Sequence, residues 1–206
     1  FYTNNVDELA KADVILLPGS KSTLDDLYEL RRNGVAAAIT RAHREGATVM
    51  GICGGYQMMG QEVLDPKHVE GDIERLPGLG LLPISTRMSG EKVTRQVKFG
   101  LCNPHSPSST LRSPFMQGYE IHMGETCLLE TCGRFASVTD CVTGKQYPDG
   151  CVKGNVCGTY IHGILDAPGL LKGLLNPVFL EKGMTPGTYR DLAGYRQELV
   201  SYTHLR

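Results

Sequence analysis

The sequence lacks the features that mark a membrane-spanning or a secreted chain. No apolar run approaches the roughly 18 residues that a membrane helix requires. The opening segment, Phe1 to Asn5, has neither the basic nor the apolar region of a secretion signal. We therefore expect a cytoplasmic protein that does not contact a membrane.

An excess of either charge is also missing. The 21 basic and 22 acidic residues leave a formal net charge of -1, so nothing favours a nucleic-acid partner. The 206 residues are enough for one well-buried domain, and we expect residues 1–206 to form a single one. Because the chain begins at Phe1 rather than at Met, we also expect it to be part of a longer polypeptide.

The seven cysteines form no Cys-x-x-Cys pair. Without a secretion signal, an odd number of scattered cysteines argues against a disulfide framework. We expect six of them to be reduced thiols without special chemistry. The seventh, Cys53, lies in a segment with a functional pattern.

Two short apolar runs, Val14–Leu17 and Ala47–Met50, predict buried strands. Between them we expect one helix capped by Ser22 or Thr23 and a second helix over Val35–Glu45. Strands that are apolar throughout and are joined by helices are typical of a parallel sheet covered on both faces. The predicted fold class is therefore α/β, with an open, mostly parallel sheet and helices on both faces.

The rest of the chain is less regular. Residues 61–118 are rich in Gly, Pro and Ser, with short extended runs such as Lys92–Val97, and Gly100–Pro114 is the best candidate for an exposed loop. Short alternating runs return at 119–123, 134–142 and 151–161, and two segments look helical, Gly169–Leu175 and Thr188–Tyr202. Neither a repeat nor a clear linker interrupts this part, which favours one domain.

The most informative segment, Gly51-Ile52-Cys53-Gly54-Gly55, follows the second strand directly. A Gly-x-nucleophile-x-Gly turn between a strand and a helix holds the nucleophile in a tight bend, and small neighbours avoid a clash with the adjoining backbone. The sulfur would lie at a helix N-terminus, whose N–H groups favour a thiolate and can stabilise an oxyanion. The alternative is a glycine-rich turn around an inert buried cysteine, which the flanking strand and helix disfavour.

Two histidines are candidates for the base that a catalytic thiol requires. His162 follows the strand-like run Val156–Ile161 and would project from a strand's carboxyl end, where sites form in open parallel sheets. His122, in Tyr119–Gly124, is the rival, and position in the sequence does not choose between them. The other histidines lie in charged, polar or terminal contexts.

The segment Gly51–Gln57 resembles the nucleophile motif of the triad, or class I, glutamine amidotransferases. Further segments resemble the branch that acts in cobalamin synthesis, the cobyric acid synthase family: Leu17–Leu27, Asp65–Glu70, Gly78–Pro83, Glu91–Thr94, Gly118–Gly124 and Gly158–Gly163. Their order and spacing match over essentially the whole chain. The resemblance implies a flavodoxin-like amidotransferase domain, the C-terminal part of a longer synthase whose ATP-dependent domain lies outside this chain.

The resemblance also implies roles for single residues. Cys53 would attack the side-chain amide of glutamine, and His162 would deprotonate the thiol and then protonate the leaving ammonia. The N–H of Gly54 and an N–H near Gly19 would stabilise the oxyanion. Four more residues are expected to hold the substrate glutamine or to line the pocket or a domain interface: Gln57, Tyr119, Glu120 and His122.

Partners follow from the same resemblance. In the full-length family, an ATP-dependent synthetase domain activates carboxylates of a corrin as phosphates, and ammonia from the glutaminase converts them to amides. The family's substrate is adenosylcobyrinic acid a,c-diamide and its product is cobyric acid. We expect glutamine as the substrate of this chain, no cofactor or metal within it, and ATP and Mg in the synthetase domain.

The chain departs from the triad pattern at one position. Most triad amidotransferases have a glutamate two residues after the histidine, whereas Ile164 stands there in this chain. The site is therefore compatible with a Cys–His dyad in which Asp166, Glu120, a backbone carbonyl or a water orients the imidazole. Nearby, Gly19–Ser22 is not a phosphate-binding loop, because Ser20 occupies the place of the second glycine.

Two other functions stay open at this point. A related amidotransferase that acts on a cell-wall lipid precursor uses a similar Cys–His glutaminase as a separate subunit, although Asp65–Glu70 and Tyr119–Gly124 favour the cobalamin branch. A catalytically silent domain of the same fold is the second alternative. The joint presence of Cys53 and His162 argues against it.

Overall fold

The computed structural model describes residues 2–102, 116–166 and 168–185. These residues belong to two compact units, residues 1–162 and residues 163–206. The expected helix at Thr188–Tyr202 and most of the expected loop Gly100–Pro114 lie outside the described ranges. Within those ranges, no helix has the length and apolar composition needed to cross a membrane.

The first unit contains two sheets and four helices among its described residues. Its strands are β1 (Val14–Leu17), β2 (Thr48–Ile52), β3 (Glu62–Leu64), β4 (Arg75–Pro77), β5 (Ile84–Leu101), β6 (Met116–Leu128), β7 (Ala136–Asp140), β8 (Gln146–Asp149), β9 (Cys151–Lys153), β10 (Val156–Thr159) and β11 (Ile161–His162). Its helices are α1 (Val6–Leu9), α2 (Thr23–Arg32), α3 (Val35–Arg44) and α4 (Gly54–Met58). Four strands form one sheet in the order β1-β2-β10-β9, and the other seven form a second sheet around β5 and β6.

The four-stranded sheet confirms the predicted parallel core. β1 pairs in parallel with β2, and β2 pairs in parallel with β10, whereas β9 is antiparallel at the edge. Val49 of β2, Leu27 of α2 and Ile39 of α3 are buried in one hydrophobic core. Ser22, one of the two expected capping residues, is at the N-cap of α2, although its side chain makes no capping hydrogen bond. The predicted α/β class is therefore confirmed.

The seven-stranded sheet is larger than the sequence indicates. β5 extends over 18 residues and pairs antiparallel with the 13-residue β6. The middle of β5 is mostly exposed, and the pairing register shifts between Met88 and Val93. Because its apolar and polar residues do not alternate cleanly, a period of two could not reveal a strand of this length.

Between β10 and β11, the chain passes from one sheet to the other across a single residue. β10 ends at Thr159 in the parallel sheet, and β11 begins at Ile161 in the seven-stranded sheet, with Tyr160 between them. β11 pairs with β6 so that His162 lies opposite Tyr119. This crossover places His162 against β6, just beyond the carboxyl end of a parallel strand.

One pair of cysteines differs from the expectation of reduced thiols. Cys132 and Cys151 form a disulfide, with their Cα atoms 6.2 Å apart. An antiparallel bridge between their neighbours, Gly133 and Val152, brings them together. Pairing of this kind joins residues 19 apart and leaves no spacing signal, so the cysteine pattern could not predict it.

The second unit contributes a short 3-10 helix, Ile164–Asp166, and helix α5, Pro168–Glu181, to the described residues. The predicted helix Gly169–Leu175 lies within α5 and is confirmed. The assignment of residues 1–206 to one domain stays a prediction.

Replacing Gly55 with Ala is expected to destabilise the fold. A Cβ at Gly55 would lie 2.6 Å from the carbonyl carbon of Leu17 and 2.7 Å from the carbonyl oxygen of Pro18. Since rigid backbone must then shift, we expect the free energy of unfolding to fall by about 3 kcal/mol. Gly90→Ala is the control, because a Cβ at Gly90 meets nothing within 4 Å. Urea unfolding compares the two variants, and equal stabilities would contradict the close approach at Gly55.

Candidate active site

Cys53 stands in a strained turn between a buried strand and a helix. It follows β2 directly and is the residue before α4, with φ 53° and ψ -113°. Residues other than glycine rarely adopt a positive φ, and such strain is concentrated at functional sites. The turn therefore has the geometry of the predicted nucleophile elbow.

The glycines around Cys53 are required by close approach of the backbone. A Cβ at Gly51 would lie 2.7 Å from the backbone of Gly55. A Cβ at Gly54 would lie 2.7 Å from the backbone nitrogen of Ser20. Both distances are shorter than real Cβ atoms show, which confirms that the turn needs small neighbours.

The thiol of Cys53 is buried and is protonated at neutral pH. Only 7% of Cys53 is exposed, and its thiol donates a hydrogen bond to the carbonyl oxygen of Ile121, 3.3 Å away. Burial raises the pKa of Cys53 to about 11, although the N–H of Gly54 acts in the opposite direction. The N–H of Gly54 favours the thiolate, as expected, but does not outweigh burial, so the thiol needs a base.

His162 lies beside this thiol. A Cβ at Gly19 would be 3.4 Å from Cε1 of His162 and 3.6 Å from Cβ of Cys53, so both side chains border the same glycine. The Nε2 atom of His162 is buried and has no hydrogen-bond partner among the described residues. Burial lowers the pKa of His162, and a hydrogen bond with the backbone of Ile121 opposes this to a smaller extent. The imidazole is thus a neutral base at neutral pH.

Tyr119 of β6 restrains the imidazole of His162. The two rings are stacked, with centroids 5.0 Å apart and planes within 5° of each other. Tyr119 is 40% exposed, so this contact lies at the surface of the site. Stacking restrains the plane of the imidazole in a chain that has Ile164 at the position of the usual orienting glutamate.

His122, the rival base, is engaged elsewhere. Its ring stacks on Tyr160 with centroids 3.8 Å apart, and its Nδ1 forms a hydrogen bond with the carbonyl oxygen of Gly124 at 2.9 Å. Burial, with smaller effects from Arg95 and His162, lowers the pKa of His122 to about 4. The geometry therefore favours His162 as the base, and the pocket-lining role expected for His122 stays a prediction.

One backbone N–H group reaches the thiol, and another lies close to that group. The N–H of Gly54 reaches Cys53, and the backbone nitrogen of Ser20 lies next to Gly54. Gly19 borders both Cys53 and His162. The structure brings the predicted donors, Gly54 and an N–H near Gly19, to one place, and their action on an oxyanion stays a prediction.

Gln57, a predicted substrate-binding residue, is hydrogen-bonded inside the protein. It is 2% exposed, its Oε1 accepts from the hydroxyl of Thr23 at 2.9 Å, and its Nε2 donates to the hydroxyl of Tyr160 at 3.1 Å. The Tyr160 hydroxyl also shares a 2.6 Å hydrogen bond with Thr126. Gln57 thus connects α2, α4 and the crossover, and its direct contact with glutamine stays a prediction.

Glu120 lies on the face of β6 opposite to Tyr119, since neighbouring residues of a strand point to opposite faces. Its buried carboxylate accepts a hydrogen bond from the hydroxyl of Tyr147 at 2.7 Å. Burial raises the pKa of Glu120. Among the described residues, no contact joins this carboxylate to His162, so the roles expected for Glu120 have no direct geometric support.

Sequence patterns do not reveal three groups of the site. The carbonyl of Ile121 contacts both Cys53 and His162, but a backbone group leaves no signal in residue identity. Tyr160 and Thr23 hold the amide of Gln57, and these contacts depend on the packing of α2 against the crossover. The one available signal is the position of Tyr160, two residues before His162.

Solved structures share this fold. A crystal structure of a glutamine amidotransferase matches with a TM-score of 0.60, over 84% of this chain and 83% of that one, at 17% identity. The structure of PurLQS from Thermotoga maritima matches with a TM-score of 0.56, over 81% and 80%, at 20% identity. These matches define the fold as that of glutamine amidotransferases.

The chain belongs to the CobB/CobQ-like glutamine amidotransferase domain family, whose model matches residues 1–169. Cobyric acid synthase of Bacteroides fragilis is 62% identical over 178 residues, which are 86% of this chain and 34% of that protein. Cobyric acid synthase of Phocaeicola vulgatus is 55% identical over 201 residues, 96% of this chain and 38% of that protein. The chain therefore spans just over a third of the length of these curated relatives. The resemblance to this family is confirmed.

The acid limb of the pH profile tests the neutral base. If neutral His162 accepts the thiol proton, glutamine hydrolysis is lost as the imidazole becomes protonated. Because burial lowers the pKa of His162 from 6.5, we expect kcat/KM for glutamine to reach half its maximum on the acid side below pH 6.5. His43→Gln, on α3, is the control and should leave the profile unchanged. A midpoint above pH 6.5 would contradict the assignment.

Proposed function

We propose that this chain hydrolyses glutamine to glutamate and ammonia, with Cys53 as the nucleophile and His162 as the general base. The approach of both side chains to Gly19 is the observation that supports this best. Neutral His162 takes the thiol proton as the sulfur attacks the amide carbon of glutamine. The C–N bond then breaks, His162 returns the proton to the leaving ammonia, and a γ-glutamyl thioester remains on the sulfur. Water, deprotonated by His162, then attacks the thioester carbon; the C–S bond breaks, His162 returns the proton to the sulfur, and glutamate leaves.

Each tetrahedral intermediate of this route carries a negative oxygen. We assign its stabilisation to the N–H of Gly54, which reaches Cys53, and to an N–H at Gly19 or Ser20 in the neighbouring loop. Donors of this kind have the largest effect where water is excluded, and Cys53 is buried. Preformed backbone donors need no rearrangement during the reaction.

The side chains around the pair would shape the glutamine pocket. We assign its wall to Tyr119 and His122, whose rings stack on His162 and Tyr160. Gln57 and Glu120 would act from behind this wall. The amide of Gln57 is hydrogen-bonded to Tyr160, and the carboxylate of Glu120 is hydrogen-bonded to Tyr147, both inside the protein. Their effect on glutamine binding would therefore be indirect.

The ammonia would be used to amidate corrin carboxylates. The curated relatives quoted above are cobyric acid synthases, and this chain matches just over a third of their length. We assign the chain to the glutaminase part of such a synthase, which converts adenosylcobyrinic acid a,c-diamide to cobyric acid. ATP and Mg would bind the synthetase part of that enzyme. Among the described residues of this chain, no group of three or more His, Cys, Asp or Glu side chains is placed to hold a metal.

A cytoplasmic location fits this assignment. Cys53 and Cys157 are buried free thiols, and Cys102, Cys127 and Cys141 are also unpaired. Free thiols persist in a reducing compartment. The disulfide between Cys132 and Cys151 is unusual for a protein in a reducing compartment.

The direct test is ammonia release from glutamine by the wild type and by Cys53→Ala. We expect the variant to lose essentially all release, at least about a thousandfold, because no other group can form the thioester. Cys157→Ala is the matched control, since Cys157 is also a buried thiol whose pKa burial raises to about 12. Equal release by the wild type and Cys53→Ala would rule out the nucleophile.

A second test concerns the use of the ammonia. Mixing the chain with a cobyric acid synthase synthetase domain, ATP, Mg and the corrin diamide should yield amidated corrin from glutamine. With Cys53→Ala, amidation should proceed from added ammonia but not from glutamine, because the activation step does not need the thiol. Mass spectrometry of the corrin measures both. If glutamine is hydrolysed but no nitrogen reaches the corrin, the corrin assignment is wrong, and the chain is a glutaminase that supplies ammonia to another acceptor.

A further inference from the structure

We propose that Asp149 is a positioning residue for His162, because its carboxylate holds the crossover between β10 and β11 and thereby sets the place of the imidazole. This inference rests on the proposed roles of Cys53 and His162. Asp149 acts through the backbone and contacts neither the substrate nor the reacting atoms.

The carboxylate of Asp149 collects hydrogen bonds from the crossover. The hydroxyl of Thr159 donates to its Oδ2, and the N–H of Tyr160 lies 3.3 Å from each of its oxygens. The N–H of Gly150 also donates to it. The hydroxyl of Thr159 in turn accepts from the N–H of Ile161 at 3.1 Å. Two successive N–H groups of the crossover therefore depend on this carboxylate, one directly and one through a hydroxyl.

The crossover needs such an acceptor because the chain changes sheets there. Thr159 is the last residue of β10, and Ile161 is the first residue of β11. Buried N–H groups between two ladders require a partner, since leaving them unpaired costs about 1–3 kcal/mol each. The direction in which β11 leaves the crossover determines where His162 stands relative to Cys53.

A carboxylate suits this place better than an amide. The ionised group only accepts hydrogen bonds, whereas the NH2 of Asn would face one of the converging donors. Asp149 is 6% exposed, and burial raises the pKa of its carboxyl group to about 6, with the nearby negative charge of Glu120 also raising it. The charge of Asp149 is therefore not a favourable contribution to stability. The geometry points to a role in placing β11.

Asp149→Asn tests this role, with Asp140→Asn as the matched control. Asp140 is 8% exposed and also accepts two backbone hydrogen bonds, from Val142 and Thr143, but it lies in the β7–β8 hairpin. We expect Asp149→Asn to lower kcat for glutamine hydrolysis about ten- to a hundredfold, with KM within about twofold. Asp140→Asn should leave kcat near that of the wild type, even if its midpoint of thermal unfolding falls as much as that of Asp149→Asn.

Alkylation of Cys53 by iodoacetamide, followed by peptide mass spectrometry, is the readout that needs no glutamine. Because proton removal by a well-placed His162 assists the reaction of the thiol, Asp149→Asn should slow it about tenfold. This rate decides the question even if the wild type hydrolyses no glutamine, so failure of the inference and failure of the proposed function are distinguishable. Unchanged kcat and alkylation in Asp149→Asn would overturn the inference, as would equal losses in the two variants.

Thr159→Val keeps the test decisive if Asp149→Asn does not fold. Valine has the shape of threonine but lacks the hydroxyl that links Asp149 to the N–H of Ile161. We expect the same loss of kcat and of Cys53 alkylation, with KM again nearly unchanged. A folded Thr159→Val variant with wild-type values of both would refute the positioning role.

Discussion

The turn that carries Cys53 exists because glycines allow the end of β1 to lie directly against the start of α4. The carbonyl groups of Leu17 and Pro18 occupy the space in which a side chain of residue 55 would stand. The same contact brings the loop after β1, with Gly19 and Ser20, against the turn. Since close-packed backbone cannot relax around an added atom, the position of the nucleophile is set before a substrate arrives.

The resting site holds its thiol and its base in their neutral forms. Burial raises the pKa of Cys53 and lowers the pKa of His162, so both shifts disfavour an ion pair in the free protein. The thiol proton is directed to the carbonyl of Ile121, which also forms a hydrogen bond with His162. Proton transfer therefore has to accompany attack on a bound amide. A protonated thiol also reacts slowly with other electrophiles, which protects the nucleophile between turnovers.

The sequence was sufficient for the features that depend on local pattern. The apolar runs predicted β1 and β2, and the glycines around Cys53 predicted the turn between β2 and α4. It was insufficient where distant segments meet. From the residues alone, His162 could not be chosen over His122, and neither the role of the Ile121 carbonyl nor the length of β5 could be predicted. All three depend on pairing between β5, β6 and β11, which no local period encodes. The sequence also could not show that burial, a property of the whole fold, outweighs the N–H group of the turn and leaves the thiol protonated in the free protein.

Trapping of the acyl-enzyme tests the central claim most directly. Wild-type protein would be mixed with glutamine, quenched in acid within the first turnovers and digested for peptide mass spectrometry. The account predicts a γ-glutamyl group on the peptide that contains Cys53, and the same group, formed far more slowly, when His162 is replaced by Asn. Glutamate and ammonia formed without an adduct on Cys53, or with an adduct on another cysteine, would contradict it.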